Sequence, residues 1–240
     1  TNASDKPAKE RAEKAETVSE SMDLSEAETR LIIDAQLRSY GWEADTNILR
    51  YSKGIRPQKG KNLAIAEWPT DSTTGTKGAA DYALFVGTKL VAVVEAKRAM
   101  TDIPSVINEQ CKDYARTIKA EHNEYVIDYW NGYKVPFVFA TNGRKYLKQI
   151  DIKSGIWFLD LRQPFNAPKA LQGWISPQGI MENLEKDITA ANAKLCNTPY
   201  DLLRDPDGLN LRKYQIRAIE AAEKAVIDGK QTVLLSMATG

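Results

Sequence analysis

Two apolar runs on either side of a glycine turn dominate the hydropathy pattern: Asp81-Tyr-Ala-Leu-Phe-Val and Leu90-Val-Ala-Val-Val, separated by Gly87-Thr88-Lys89. Rich in β-branched and aromatic residues, they predict a β-hairpin over 78–97. Upstream, Leu31, Ile32, Ala35, Leu37 and Tyr40 give an apolar helical face that stops at Gly41, and Ser25 with Glu28 forms a capping box, so a helix is expected over 25–40. Downstream, Asp102 suits a cap and Pro104 a first helical position. That helix runs to about Lys119 with Ile107, Cys111, Tyr114 and Ile118 on one stripe, and Gln110 and Tyr114, four apart, are neighbours on its surface.

The run Val135-Pro-Phe-Val-Phe-Ala-Thr141 reads as a buried strand, Asn142-Gly143 turns the chain, and Lys145–Asp151 and Ile156–Leu161 read as further strands. Residues 163–179 carry three prolines and little periodicity, which marks a domain boundary. A helix around 180–195 follows, then a break at Asp205-Pro-Asp-Gly208. A helix from Leu211 to about Asp228 stops at Gly229, and Gln231–Met237 reads as a buried strand. Helix, strands, helix, strand is the order of an α/β arrangement with a mixed sheet.

Charge changes the picture locally. With 33 Lys and Arg against 32 Asp and Glu the net charge is +1, so contact with nucleic acid has to come from basic stretches. The segment 47–66 holds Arg50, Lys53, Arg56, Lys59 and Lys61 with no acid, and is either a phosphate-contacting loop or a plainly solvated one. Residues 1–24 are charged and poor in large apolar residues, as in a mobile tail, and the Thr/Ser/Gly-rich stretch 70–78 reads as a mobile turn. Cys111 and Cys196 are the only cysteines and His122 the only histidine, which excludes a disulfide framework or zinc ribbon and disfavours histidine-based chemistry. Without an apolar run of bilayer length or a signal-peptide core, the sequence reads as a soluble, cytoplasmic protein without membrane contact.

The hairpin carries the chemistry. With a loop symmetric about Thr88, Asp81 faces Glu95 across the strands, and alternation puts Lys97 on the face of Glu95. Opposed acids repel, and a divalent cation removes the conflict, because Cβ atoms about 4.5–5.5 Å apart let two carboxylates share a hard ion. Magnesium suits such a site: it acidifies a bound water and stabilises charge on a phosphodiester, while a lysine orients that water or neutralises the phosphate. The plainer reading is an ordinary hairpin with its acids at a solvated rim.

Asp81 followed by Glu95-Ala-Lys97 resembles the signature of the restriction-endonuclease-like nuclease fold, and Glu28 matches the acid which that fold often places beside the metal. Gln110 and Tyr114 resemble the Gln-x-x-x-Tyr element of bacterial restriction subunits. Further on, Leu211-Arg-Lys-Tyr214-Gln215 resembles the adenine-reading element of superfamily 2 helicase-type ATPases, and Met237-Ala-Thr239-Gly240 the start of their phosphate-binding loop. Nuclease before motor resembles the restriction subunit of Type I restriction–modification enzymes. The resemblance implies a mixed-sheet endonuclease domain over 25–163, a linker with a helix over 164–208, and over 209–240 the start of a RecA-like ATPase. It implies Mg²⁺ held by Glu28, Asp81 and Glu95, with Lys97, Gln110 and Tyr114 completing the catalytic set. Gln215, Thr239 and Gly240 would meet ATP in the full-length subunit only. The implied partners are duplex DNA and the methylation and specificity subunits. The alternatives are a non-catalytic DNA-binding or docking module, and the same nuclease on a stand-alone defence helicase.

Overall fold

A computed structural model describes residues 26–72, 78–98, 103–146, 148, 154–230 and 232–237. The expected tail, Ser25, Asp102, Thr239 and Gly240 lie outside the described residues. The elements are α1 (Glu26–Ser39), β1 (Glu43–Ala44), β2 (Asn62–Pro69), β3 (Ala79–Val86), β4 (Lys89–Ala96), then α2, in which a π-helical stretch (Ile107–Cys111) joins two α-helical pieces (Ile103–Val106 and Lys112–Arg116). There follow β5 (Phe137–Thr141), β6 (Ile156–Asp160), β7 (Lys169–Ala170), α3 (Pro177–Glu185), α4 (Ile188–Asn197), α5 (Asp201–Arg204) and α6 (Lys213–Ile227).

One seven-stranded sheet runs β1 to β7 in chain order. Neighbours pair antiparallel except β1 with β2 and β4 with β5, so the sheet is mixed and the fold is α/β. Both faces are covered. Leu63, Phe85, Val93 and Val138 pack with Ile107, Cys111 and Tyr114 of α2. Ala64, Leu84, Val94 and Phe139 pack with Ile33 and Leu37 of α1, Trp174, and Ile180 of α3. Burial on both faces is why β3, β4 and β5 read as near-continuous apolar runs.

The hairpin register is reached differently from the symmetric loop. Val86 pairs with Lys89 around a two-residue turn, Gly87-Thr88, in which Gly87 takes a φ of +61° that favours glycine. The register then shifts between Leu84 and Phe85, and from there Tyr82 pairs with Val94. Short turn and bulge together restore the offset of the longer loop, leaving Asp81 and Glu95 each one residue beyond that pair.

Four other expectations change. The face that α1 buries is Arg30, Ile33, Asp34 and Leu37, at i, i+3, i+4 and i+7, while Leu31 is 55% exposed and Tyr40 is exposed. Apolarity alone misplaced this face because half of it is polar, its charges paired inside the protein. The Asp34 carboxylate accepts from the Thr46 backbone N–H at 2.7 Å and from the Thr46 and Tyr82 hydroxyls, each at 3.0 Å. Second, the end of the basic segment is β2, with Leu63 to Ala66 buried. Third, Lys145, Tyr146 and Lys148 form no strand, and β5 pairs directly with β6 (the remainder of that expected strand lies outside the described residues). Fourth, residues 232–237 are irregular and exposed, Leu234 to 92%, because an apolar run becomes a strand only beside a partner and no described residue supplies one. Of the expected ATPase start, the described residues show a helix, α6, without its strand. β7 comes from the proline-bearing stretch and extends the sheet. Among the described residues no helix is long and apolar enough to cross a membrane.

The polar face of α1 predicts a contrast in stability. Asp34→Ala removes the acceptor of three donors, stranding the buried Thr46 N–H, and is expected to lower the unfolding free energy by about 2 kcal/mol, whereas Leu31→Ala changes it by less than about 0.5 kcal/mol. Urea unfolding followed by circular dichroism measures both; equal effects would contradict the assignment of the buried face.

Candidate active site

Three strands end together to build the site. β4 lies between β3 and β5, its Glu95 and Ala96 pair with Ala140 and Thr141, and the Lys97 N–H donates to the Thr141 carbonyl at 2.8 Å. Alternation gives Asp81 the face of Ala83 and Phe85, and gives Glu95 and Lys97 the face of Val93, so all three look toward α2. Asp81 is 9% and Glu95 6% exposed.

Each buried charge has partners. The Asp81 carboxylate accepts from the Arg30 guanidinium through Oδ1 and from the Ala96 backbone N–H through Oδ2, at 2.7 Å for the latter. Lys97 Nζ lies 2.6 Å from Glu95 Oε1. The carboxyl groups of Asp81 and Glu95 hydrogen-bond to each other, and the Tyr114 hydroxyl bonds to Glu95. Burial first, and then the charge of Asp81, push Glu95 up from 4.5 to about 8, against the pull of Lys97. Burial also raises Asp81, opposed by Arg30. Burial and their mutual repulsion together resist the ionisation of both carboxyls near neutrality. Burial and the charge of Glu95 push the Tyr114 hydroxyl and the Cys111 thiol well up.

The other expected site residues are placed variously. Glu28 is exposed on α1, and Arg30, two positions on and so on another side of the helix, bonds Asp81. Among the described residues no group of three or more His, Cys, Asp and Glu side chains gathers as a metal cluster. Asp81 and Glu95 are instead a pair of hard oxygen donors whose mutual repulsion a divalent cation would relieve, and in that respect they fit Mg²⁺. Gln110 lies in the π-helical stretch, its Oε1 buried without a hydrogen-bond donor among the described residues. Gln215 Oε1 accepts from the Arg212 backbone N–H at 2.8 Å at the start of α6. In the basic segment Arg50 pairs with Glu67, Arg56 lies over the Tyr51 ring, Lys61 pairs with Glu43, and Lys53 and Lys59 are exposed. Arg30 was the residue missed from sequence. Its signal was helical spacing with Ile33 and Leu37 on a stripe that also holds Asp34.

A family model described as the second domain of the Type I restriction enzyme EcoKI endonuclease subunit matches residues 43–184. The Type I restriction enzyme EcoKI endonuclease subunit of Escherichia coli is 42% identical over 248 aligned residues, covering 94% of this chain and 21% of that protein. The chain thus spans about a fifth of the length of this relative. No solved structure matches.

The raised carboxyl has a consequence for stability. Glu95 binds its proton more tightly folded than unfolded, so this group lowers stability progressively as pH rises from about 4.5 to about 8 and contributes no further change above that. Glu95→Gln should flatten the decline in that window and melt at higher temperature than the parent chain at pH 8.5. A variant that keeps the parent's pH profile would show that Glu95 titrates as an ordinary carboxylate.

Proposed function

The chain belongs to the family of Type I restriction enzyme endonuclease subunits, and we propose that residues 25–163 are its nuclease unit, cutting phosphodiester bonds of duplex DNA with Mg²⁺ as cofactor. The observation that carries this reading is a pair of buried carboxylates, Asp81 and Glu95, held side by side at the end of a sheet with the Lys97 ammonium on one of them. A fold that needed only stability would gain more from apolar residues there. The order of elements, a helix, a hairpin bearing the acids, a second helix and a strand parallel to β4, supports a restriction-endonuclease-like arrangement.

Asp81 and Glu95 would hold the metal, with Glu28 on α1 as the remaining candidate ligand. Bound there, Mg²⁺ supplies Lewis-acid stabilisation of the phosphodiester and acidifies water. Lys97 orients the attacking water or neutralises phosphate charge, and its bond to Glu95 keeps the ammonium at the site. Without metal, Glu95 is raised to about 8 and holds a proton at neutral pH, which metal binding would displace. Tyr114 fixes the Glu95 carboxyl, and Gln110 offers a buried carbonyl oxygen to a donor from the substrate side. In the full-length subunit, we assign Gln215, Thr239 and Gly240 to ATP contact in a RecA-like motor that translocates DNA before cleavage. Its partners would be the methylation and specificity subunits, and its setting the cytoplasm.

Asp81→Ala and Lys97→Ala in the full-length subunit, assembled with its partners, are each expected to lower cleavage at least about 100-fold. ATP-driven translocation, followed by triplex displacement, should continue in both. Cleavage that survives in both variants would favour a docking module with structural acids.

A further inference from the structure

Arg30 holds more than Asp81. Its Nη2 bonds Asp81 Oδ1, and its Nη1 lies 3.5 Å from Glu67 Oε1, so one guanidinium fork bridges two carboxylates on neighbouring strands. Glu67 stands across from Asp81, between the pairs Ala66–Tyr82 and Trp68–Ala80. It leaves the ladder at that point with a φ of +54°, a left-handed conformation that a glutamate seldom adopts inside a strand and that persists only where its surroundings enforce it. Part of the enforcement is visible. Arg50, bridged to Ala66 beside β2, places its Nη1 3.2 Å from Glu67 Oε2. The strained residue thus holds a carboxylate within reach of Arg30, at a looser distance than the bond to Asp81.

We propose that Arg30 is a resident counter-cation which competes with a divalent metal for Asp81, and that Glu67 is the second seat to which its guanidinium withdraws when the metal binds. This rests on the reading of Asp81 and Glu95 as metal ligands. Both Asp81 oxygens are already engaged, one by a backbone N–H fixed in the sheet and the other by Arg30. The backbone donor cannot leave without breaking the sheet end, so the side chain is the partner that yields. A guanidinium does not give up its proton in proteins, so it must move rather than neutralise. Glu67 makes that movement short and keeps the displaced charge paired, which a nearly buried arginine requires. Arg30 and Glu67 are accordingly positioning residues, acting through Asp81.

Calorimetric titration of the 240-residue chain with Mn²⁺ separates this role from a general effect of charge, because only a second seat for Arg30 makes the effect of Glu67 vanish when Arg30 is removed. Arg30→Gln removes the competitor and should tighten binding roughly tenfold, the effect of losing one adjacent opposite charge. Glu67→Gln removes the second seat, leaves Arg30 concentrated on Asp81, and should weaken binding several-fold. The Arg30→Gln/Glu67→Gln double variant should bind like Arg30→Gln alone. Binding by the parent chain with unchanged or weaker affinity in Arg30→Gln overturns the inference and leaves the metal reading standing. Should Arg30→Gln fail to fold by circular dichroism, Glu67→Gln decides: weaker binding supports the inference, and equal or tighter binding overturns it. Binding by Arg30→Gln but not by the parent chain supports it in its strongest form. No binding by either folded protein overturns the metal reading and the inference together.

Discussion

A carboxylate taken out of water needs an opposite charge or hydrogen bonds, and two carboxylates buried together need more of both. At the end of the β3–β4 hairpin this requirement organises its neighbours. The Ala96 backbone N–H satisfies one Asp81 oxygen, which ties the acid to the register set by the two-residue turn and the bulge. Arg30 satisfies the other, and Lys97 covers Glu95 while its own N–H is held by β5. Burial, more than any shortage of partners, still leaves Glu95 raised to about 8.

Helix α1 is positioned to deliver Arg30. Asp34 binds it to Thr46 and Tyr82 on one side, and Gln36 spans the Gly143 carbonyl and the Trp174 indole on the other. These are directional contacts, so they fix the rotation of the helix, which an apolar stripe alone does less sharply. On the opposite face, the π-helical stretch of α2 sits immediately before Lys112–Arg116, the piece that carries Tyr114 to Glu95. A π turn inside an α-helix is frequent at functional sites, where it re-aims side chains. Both helices thus serve the sheet end through polar contacts superimposed on ordinary apolar packing.

The hairpin was legible in the sequence because dense β-branched alternation between glycines has few other outcomes, and the facing of Asp81 and Glu95 followed from it. The mechanism of that facing was not legible, since a short turn with a bulge and a longer symmetric loop give the same offset. Helix α1 was found but turned the wrong way, because its face was drawn through apolar residues alone, whereas partners distant in sequence let Arg30 and Asp34 be buried. β2 was hidden by the lysines and arginines before it and by its own alanines, which carry little strand signal. The run 232–237 failed in the opposite sense: it has a strand's composition but no partner among the described residues. Membership of the restriction-subunit family agrees with the resemblance read from the motifs, while Arg30 and Glu67 belong to no motif and emerge only from the assembled structure.

Under the proposed function, a divalent cation replaces the proton that burial and mutual repulsion keep on the Asp81–Glu95 pair. Carbon-13 NMR of the Glu95 carboxyl carbon, titrated with pH in the absence and presence of Mg²⁺, tests it at the atom concerned. The account predicts a midpoint near 8 without metal and a fall into the ordinary carboxylate range once Mg²⁺ is bound. A midpoint in the ordinary range from the outset, unmoved by Mg²⁺, would contradict it.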